Sequence, residues 1–301
     1  MRGPETDGRG DGDGWVECAL GHRHWGRFGA AGLLLQRPCD GPESVEVLLQ
    51  HRALWSHHGD TWGLLGGARH SDEPHVAAAL REAAEEGGLD PDTVRVHGRF
   101  EDPHGGWSYV TVLGATGRTT AARPTGGESI DVEWVPVDEV VARPLHPGFA
   151  RTWPLLRRAL APLTVVVDAA NVVGSRPDGW WRDRAGATQR LVESVALVAA
   201  TGVTDDELPD RLDLVPLDHR WPSWVVVVEG AARPAAADAP PGVNVRVSPG
   251  AGDDEIVEAV RDVGVGPVLV VTADRALADR CRSLGAAVTG PRWLLSATDT
   301  L

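Results

Sequence analysis

Three glutamates are the residues of this 301-residue chain best spaced to do chemistry together. Glu82, Glu85 and Glu86 stand at i, i+3 and i+4, so on a helix they project from one face. The segment Ala77 to Glu86 contains only Ala, Leu, Arg and Glu, all good helix formers, and Gly87-Gly88 stops it. Like charges at this spacing repel, and a divalent cation removes the repulsion. Clustered carboxylates completed by water suit Mg²⁺ or Mn²⁺. Immediately upstream, Trp62-Gly63-Leu64-Leu65-Gly66-Gly67 predicts a flexible loop. Its glycines permit positive φ and close backbone approach. Gly66 and Gly67 are therefore candidates to hold a pyrophosphate beside the acidic helix.

Three glutamates alone also suit a solvated surface helix. The wider spacing is more specific: Gly67-x5-Glu73-x7-Arg81-Glu82-Ala83-Ala84-Glu85-Glu86-Gly87-Gly88-Leu89. This resembles the Nudix box, G-x5-E-x7-R-E-U-x-E-E-x-G-U, with every fixed letter present. Ala83 is smaller than the bulky apolar residue usual there, and Leu65 stands where many members have proline. The resemblance implies hydrolysis of a nucleoside diphosphate linked to a further group. It implies Glu82, Glu85 and Glu86 as metal ligands, joined by the Gly67 carbonyl. It further implies that Arg81 orients a catalytic glutamate and Glu73 supports the packing of loop on helix.

The base that takes a proton from the attacking water is then Glu86 or Glu85, or a glutamate from a later loop. Glu128, in Thr125-Gly126-Gly127-Glu128-Ser129 before the apolar run Val132 to Val137, is the candidate of that second kind. Trp107, in His104-Gly105-Gly106-Trp107-Ser108-Tyr109, offers a ring to stack on a base, and sheet packing would use it equally well. His51, His57 and His58 lack cysteine partners and read as loop histidines. Some Nudix folds bind a nucleotide and control an attached domain, so a regulatory protein with a nucleotide sensor is the alternative reading.

The second half of the chain has a different rhythm. Thr164 to Asp168, Trp224 to Glu229 and Val268 to Asp274 are short apolar runs ending at or near an acid. With helical stretches between them they predict a parallel sheet, whose ligands gather at the carboxyl ends of the strands. Asp168, Asp253, Asp254 and Asp274 then converge on one edge, a set that suits two-metal phosphodiester cleavage. Taken singly, Asp168 reads as a strand-to-turn residue, and one of Asp253 and Asp254 as a helix N-cap. The segments Val166 to Gly174, Gly250 to Ile256 and Val271 to Arg275 resemble the signatures of NYN domains, PIN-like ribonucleases with a Rossmann-like sheet. That resemblance implies metal binding by Asp168, Asp253 or Asp254, and Asp274, with Asn171 orienting the first acid or a phosphate. Glu229 joins them by position. Arg176, Arg182 and Arg184 around Trp180 and Trp181 suit a short or single-stranded RNA, or a surface loop balanced by Asp178 and Asp183.

These residues need two α/β units to position them, and the length allows two. The expected organisation is a disordered, Gly-, Asp- and Arg-rich tail over 1–14, a first unit over 15–162 and a second over 163–301. The first has strands near 30–35, 45–50, 94–100, 109–115 and 132–137 and a helix near 148–159. This order fits the α/β/α sandwich with a mixed sheet that the Nudix resemblance implies. The second has helices near 187–200, 254–263 and 275–284. The formal charge of −14 argues against broad electrostatic binding of nucleic acid. No run approaches a membrane span, and the tail lacks the apolar core of a signal peptide. The chain has no lysine, which suggests a GC-rich coding bias. Cys18, Cys39 and Cys281 are odd in number and unspaced for metal, and read as reduced thiols of a cytoplasmic protein. Homodimers are common in the Nudix family, and the resemblance carries that implication too.

Overall fold

The computed structural model describes residues 10–41, 44–209 and 212–299. The chain divides into two compact units, Met1–Leu160 and Ala161–Leu301. Of the expected tail, residues 1–9 lie outside the described residues. Residues 10–14 are tied to the unit rather than loose. The Asp11 carboxylate accepts from Ser71 N (3.2 Å) and Ser71 Oγ (2.6 Å), and Gly12 O accepts from Arg27 N (2.8 Å).

The first unit opens with a hairpin, β1 (Trp15–Glu17) and β2 (Arg23–Trp25), paired antiparallel. Its main strands are β3 (Ala30–Pro38), β4 (Val45–Arg52), β5 (Trp62–Gly63) and β6 (Leu65–Ala68). The helix α1 (His75–Gly87) follows, then β7 (Arg95–Pro103), β8 (Ser108–Ala115), β9 (Ser129–Pro136) and α2 (Pro147–Leu156). The sheet is mixed: β3 and β8 run parallel, while β7–β8, β3–β4, β4–β9 and β4–β5 are antiparallel. β3 shares one edge between two partners. Residues 30–33 pair with β6 and residues 36–38 with β4.

That shared edge is where the box glycines go. Gly66 and Gly67 are strand residues, opposite Gly32 and Ala31, and not the flexible loop their composition predicts. A Cβ at Gly66 would lie 2.5 Å from the Ala31 carbonyl oxygen and from the Gly32 Cα, so close backbone approach is what requires glycine there. Ala31, Leu33, Leu34 and Leu35 are all fully buried. Successive strand residues point to opposite faces, so both faces of the sheet are covered. Ala78, Ala79 and Ala83 of α1 pack in one cluster with Leu33, Leu35, Leu65 and Val112. The small Ala83 lets the helix lie close on the strands. Gly88 ends the helix in the left-handed region (φ 64°), its N–H donating to Ala84 O at 3.0 Å.

The second unit holds β10 (Thr164–Asp168), α3 (Ala169–Gly174), α4 (Arg184–Thr201) and β11 (His219–Arg220), which bridges to Val203. β12 (Ser223–Val228), β13 (Val243–Val247), α5 (Gly252–Asp262), β14 (Val268–Val271), α6 (Arg275–Ser283), β15 (Ala287–Thr289) and α7 (Pro291–Asp299) complete it. The sheet order is β13-β12-β10-β14-β15, every neighbouring pair parallel. The chain leaves β10 to build one side and returns to build the other. The order therefore switches beside β10, where crevices form in such sheets. No helix among the described residues is long and apolar enough to cross a membrane.

Candidate active site

The three glutamates of α1 are not equivalent. Ala79, Ala83 and Glu86 fall at i, i+4 and i+7, one stripe of the helix, and that stripe faces the core. Glu86 is 7% exposed, whereas the Glu82 and Glu85 side chains are 14% and 59% exposed. The face that the three were expected to share runs as a gradient from core to solvent. Glu86 Oε2 accepts from Gly66 N at 2.9 Å. Burial pushes its pKa up to about 7, opposed by hydrogen bonds from Gln50 and Gly66 and reinforced by the Glu82 charge. Burial also raises Glu82, with the Arg81 guanidinium acting against it.

Arg81 ties the cluster to its supporting strand. Its Nε and Nη2 reach the two oxygens of Glu73 at 2.8 and 2.9 Å, and Nη2 also donates to Ala68 O at 3.0 Å. Nη1 donates to Glu82 Oε1 (2.8 Å) and Glu85 Oε2 (3.1 Å). Glu73 accepts from His70 N at 3.1 Å. Arg81 holds Glu73 below the usual carboxylate range. Gly67 sits directly on the Glu82 carboxylate: a Cβ there would lie 2.6 Å from Oε1. The donor set formed by Glu82, Glu85, Glu86 and the Gly67 backbone is all oxygen, and its two least exposed members are carboxylates pushed toward the neutral form. A hard divalent cation fits that set and relieves that strain.

Beside the carboxylates lies a cavity of about 810 Å³, lined among others by Gly66, Gly67, Trp107, Tyr109, Glu128 and His146. This lies within the size range of small-molecule ligand sites. Glu128 is exposed on its wall, just before β9. It is close enough for its charge to raise Glu82. Trp107 lines the cavity with one face already covered, because His24 stacks on it at 4.1 Å between ring centres and Trp107 Nε1 donates to Gly26 O at 2.7 Å. His57 and His58 gather with His146 rather than with His51. His51 stacks on Trp62 and meets Asp60 at 3.0 Å. Sequence reasoning missed Gln50 and His146. Gln50 is a lone amide closing the apolar run of β4, a faint signal. His146 reaches the site only through the tertiary fold, where burial and nearby Arg52, His58 and His57 lower its pKa to about 3.

The acids of the second unit converge at the carboxyl ends of its central strands. Asp168 is buried; its Oδ1 accepts from Asn171 N (3.0 Å) and its Oδ2 from Thr272 Oγ1 (2.8 Å). Asn171 Oδ1 accepts from Ala273 N at 2.8 Å, so Asn171 clamps the β14 loop. Burial raises Asp168, and the charges of Asp253 and Glu229 add to it. Asp253 is raised by burial and by Asp274, Glu229 and Asp254. Asp274 caps α6 through Leu277 N at 2.9 Å. Neither Asp253 nor Asp254 is the N-cap of α5. That residue is Ala251, and both acids lie in the first turn. Asp254 pairs with Arg280 at 2.6 Å. The basic-aromatic stretch divides: Trp180 packs on the core and under Arg184, Arg176 meets Asp299 at 3.6 Å, and Trp181 is exposed.

Comparison with known proteins agrees with the geometry of the first unit. The NUDIX domain family model matches residues 27–158. A Mycobacterium tuberculosis protein named "Putative 8-oxo-dGTP diphosphatase 3" is 48% identical over 166 residues, 52% of this chain and 73% of that protein. A Bifidobacterium longum protein named "Nucleoside triphosphate pyrophosphatase/Nudix hydrolase fusion protein" is 42% identical over 147 residues, 48% of this chain and 30% of that one. Among solved structures, a Nudix hydrolase from M. smegmatis, RenU, is 46% identical and covers 50% of this chain and 96% of its own, with a TM-score of 0.47. With the box intact and a relative this similar over most of its length, the chain belongs to the Nudix family.

Proposed function

We propose that the first unit is a divalent-metal-dependent pyrophosphohydrolase that cleaves the diphosphate linkage of a nucleoside triphosphate or a nucleoside diphosphate joined to another group. Nudix hydrolases generally use divalent ions, and Mg²⁺ or Mn²⁺ suits this oxygen donor set. The observation that carries the reading is the buried Glu86, locked to Gly66 N–H at 2.9 Å with Glu82 beside it. A binding module has no need to keep a buried, repelling carboxylate pair. The name of the M. tuberculosis relative makes an oxidised guanine nucleotide the first substrate to test.

When bound, the cation would supply charge neutralisation on the phosphates and a lowered pKa for water. Glu82, Glu85 and Glu86 with the Gly67 carbonyl would hold it. The rest is the work of the chain's own groups. Arg81 fixes Glu82 and Glu85 in orientation through the Glu73 anchor. Gly66 N–H orients Glu86, and Gly67 leaves the space of a Cβ to the Glu82 carboxylate. Glu128, which lines the cavity near Glu82, would take the proton of the attacking water, a task for which Glu85 and Glu86 are the competing candidates. The test is hydrolysis of a nucleotide panel with Mg²⁺ or Mn²⁺ by wild type and Glu86→Gln. Turnover of one class that the substitution removes supports the reading. No turnover in wild type, with a nucleotide still raising the melting temperature, returns the protein to the sensor reading.

A second, NYN-like reading of the other unit rests on the convergence of Asp168, Asp253, Glu229 and Asp274 at the sheet's switch point. It makes that edge a metal-dependent site for cleavage of a short RNA. Loss of RNA cleavage in Asp168→Asn is the supporting outcome, and cleavage left intact removes the reading.

A further inference from the structure

The N-terminal hairpin carries a cluster apart from the carboxylates of α1, two of whose members, His22 and His24, line the same cavity. Cys18, His22 and His24 each bring one ligand atom to within 4.8 Å of the other two. Read along the chain they are C-x3-H-x-H, a spacing without the usual cysteine pair. The hairpin folds it into a knuckle. Cys18 N donates to His22 O and Gly21 N to Cys18 O, each at 2.9 Å, with Gly21 in the left-handed region (φ 78°). Cys18 is buried and makes no disulfide.

Two further observations point to a missing partner. Among the described residues, His24 Nε2 and His104 Nδ1 are both buried without a hydrogen-bond partner. A buried unpaired polar group of this kind costs about 1–3 kcal/mol, so two side by side call for a ligand. The rings lie close: His24 to His104 is 5.0 Å between centres and His22 to His104 is 6.2 Å.

We propose that Cys18, His22 and His24 form a zinc-type site, distinct from the carboxylate site on α1, that staples the turn of the β1–β2 hairpin, itself part of the cavity wall. One thiolate and two imidazoles select a borderline-soft ion over Mg²⁺. Binding deprotonates Cys18 and releases that proton to solvent. His104, in the turn after β7, lies outside the converging group and would close the fourth position by a shift of its ring. Coordination through its Nδ1 leaves the Nε2 proton facing Asp102 at 3.5 Å, the carboxylate partner common to ligand histidines. Arg151 Nη2, 3.1 Å from the same Nε2, competes with that tautomer, so the assignment rests on the hairpin residues. A staple here bears on substrate binding because His24 stacks on Trp107, which lines the cavity.

The test uses the full chain without a histidine tag, stripped of metal and titrated with Co²⁺ in excess Mg²⁺. The expected result is a thiolate-to-cobalt charge-transfer band with tetrahedral ligand-field bands, saturating at about one equivalent, and displaced by Zn²⁺. The band persists in Cys39→Ser, Cys281→Ser and Glu86→Gln, and disappears in Cys18→Ser. It weakens by 10-fold or more in apparent affinity in His22→Ala, a second variant whose exposed side chain can be removed without disturbing the core. Absence of a thiolate band in the wild type, or its survival in Cys18→Ser, overturns the proposal.

Discussion

Arg81 and Glu73 form a bidentate pair, Nε to Oε1 at 2.8 Å and Nη2 to Oε2 at 2.9 Å, that spans the turn between β6 and the middle of α1. The pair fixes where the helix sits on the strand, and with it where the carboxylates of Glu82 and Glu85 point. A planar fork is needed for this, which lysine lacks.

Arg81→Lys should therefore lower kcat by about 10- to 100-fold, the usual cost of losing a group that orients metal ligands, and raise the Mg²⁺ concentration needed for half-maximal rate. Glu73→Gln should move both in the same direction by a smaller factor. Steady-state rates across a Mg²⁺ series check this, and an unchanged metal requirement would show that the pair only holds the fold.

Gly66 and Gly67 are neighbours with opposite expected outcomes. At Gly67 an added Cβ meets the end of the Glu82 side chain at 2.6 Å, which can swing aside. Gly67→Ala should keep the melting temperature within a few degrees and lose most of the activity. At Gly66 the added Cβ meets backbone at 2.5 Å, which cannot yield cheaply. Gly66→Ala should destabilise the first unit by about 1–3 kcal/mol, measured by urea unfolding.

His146 gives a pH dependence of stability. Its folded pKa, about 3, lies below the unfolded value near 6.5. Between these values the unfolded state binds a proton that the folded state does not. Stability is therefore fully present above about pH 6.5 and falls as the pH drops toward 3, by at most about 1.4 kcal/mol per unit. His24, His57 and His75, also lowered by burial, add to the same slope. His146→Gln should flatten the fall between pH 6.5 and 4 in urea midpoints, and a parallel curve would refute the assignment.

Asp168→Asn separates site from scaffold in the second unit. The carboxylate is raised by burial and by neighbouring acids, so neutralising it removes repulsion while an amide oxygen can still cap α3. Stability should change by less than about 1 kcal/mol, and any metal-dependent RNA cleavage should vanish. A large loss of melting temperature would instead assign Asp168 a structural role.

The helix of the box, its glycine stop and the identity of its acids were legible in the sequence because each depends on residues within one or two turns. The parallel sheet of the second unit was legible for a similar reason: continuous Val-rich runs such as Val165–Val167 have no solvent-facing side. The β1–β2 hairpin and β6 were not read, being short or glycine-rich, and β13 was not read although Val243–Val247 alternates apolar and polar residues.

By itself, then, the sequence determined the carboxylate cluster of α1, since Arg81 meets Glu82 and Glu85 through local helical geometry. Only the tertiary structure decided which carboxylate is buried, because that depends on the α1 stripe that Ala79 and Ala83 press onto the sheet. It alone brought His146 to His57 and His58, Thr272 to Asp168, and His104 to the Cys18 knuckle. These partners lie on different elements, and no periodicity in a chain records a contact made by sheet pairing and packing.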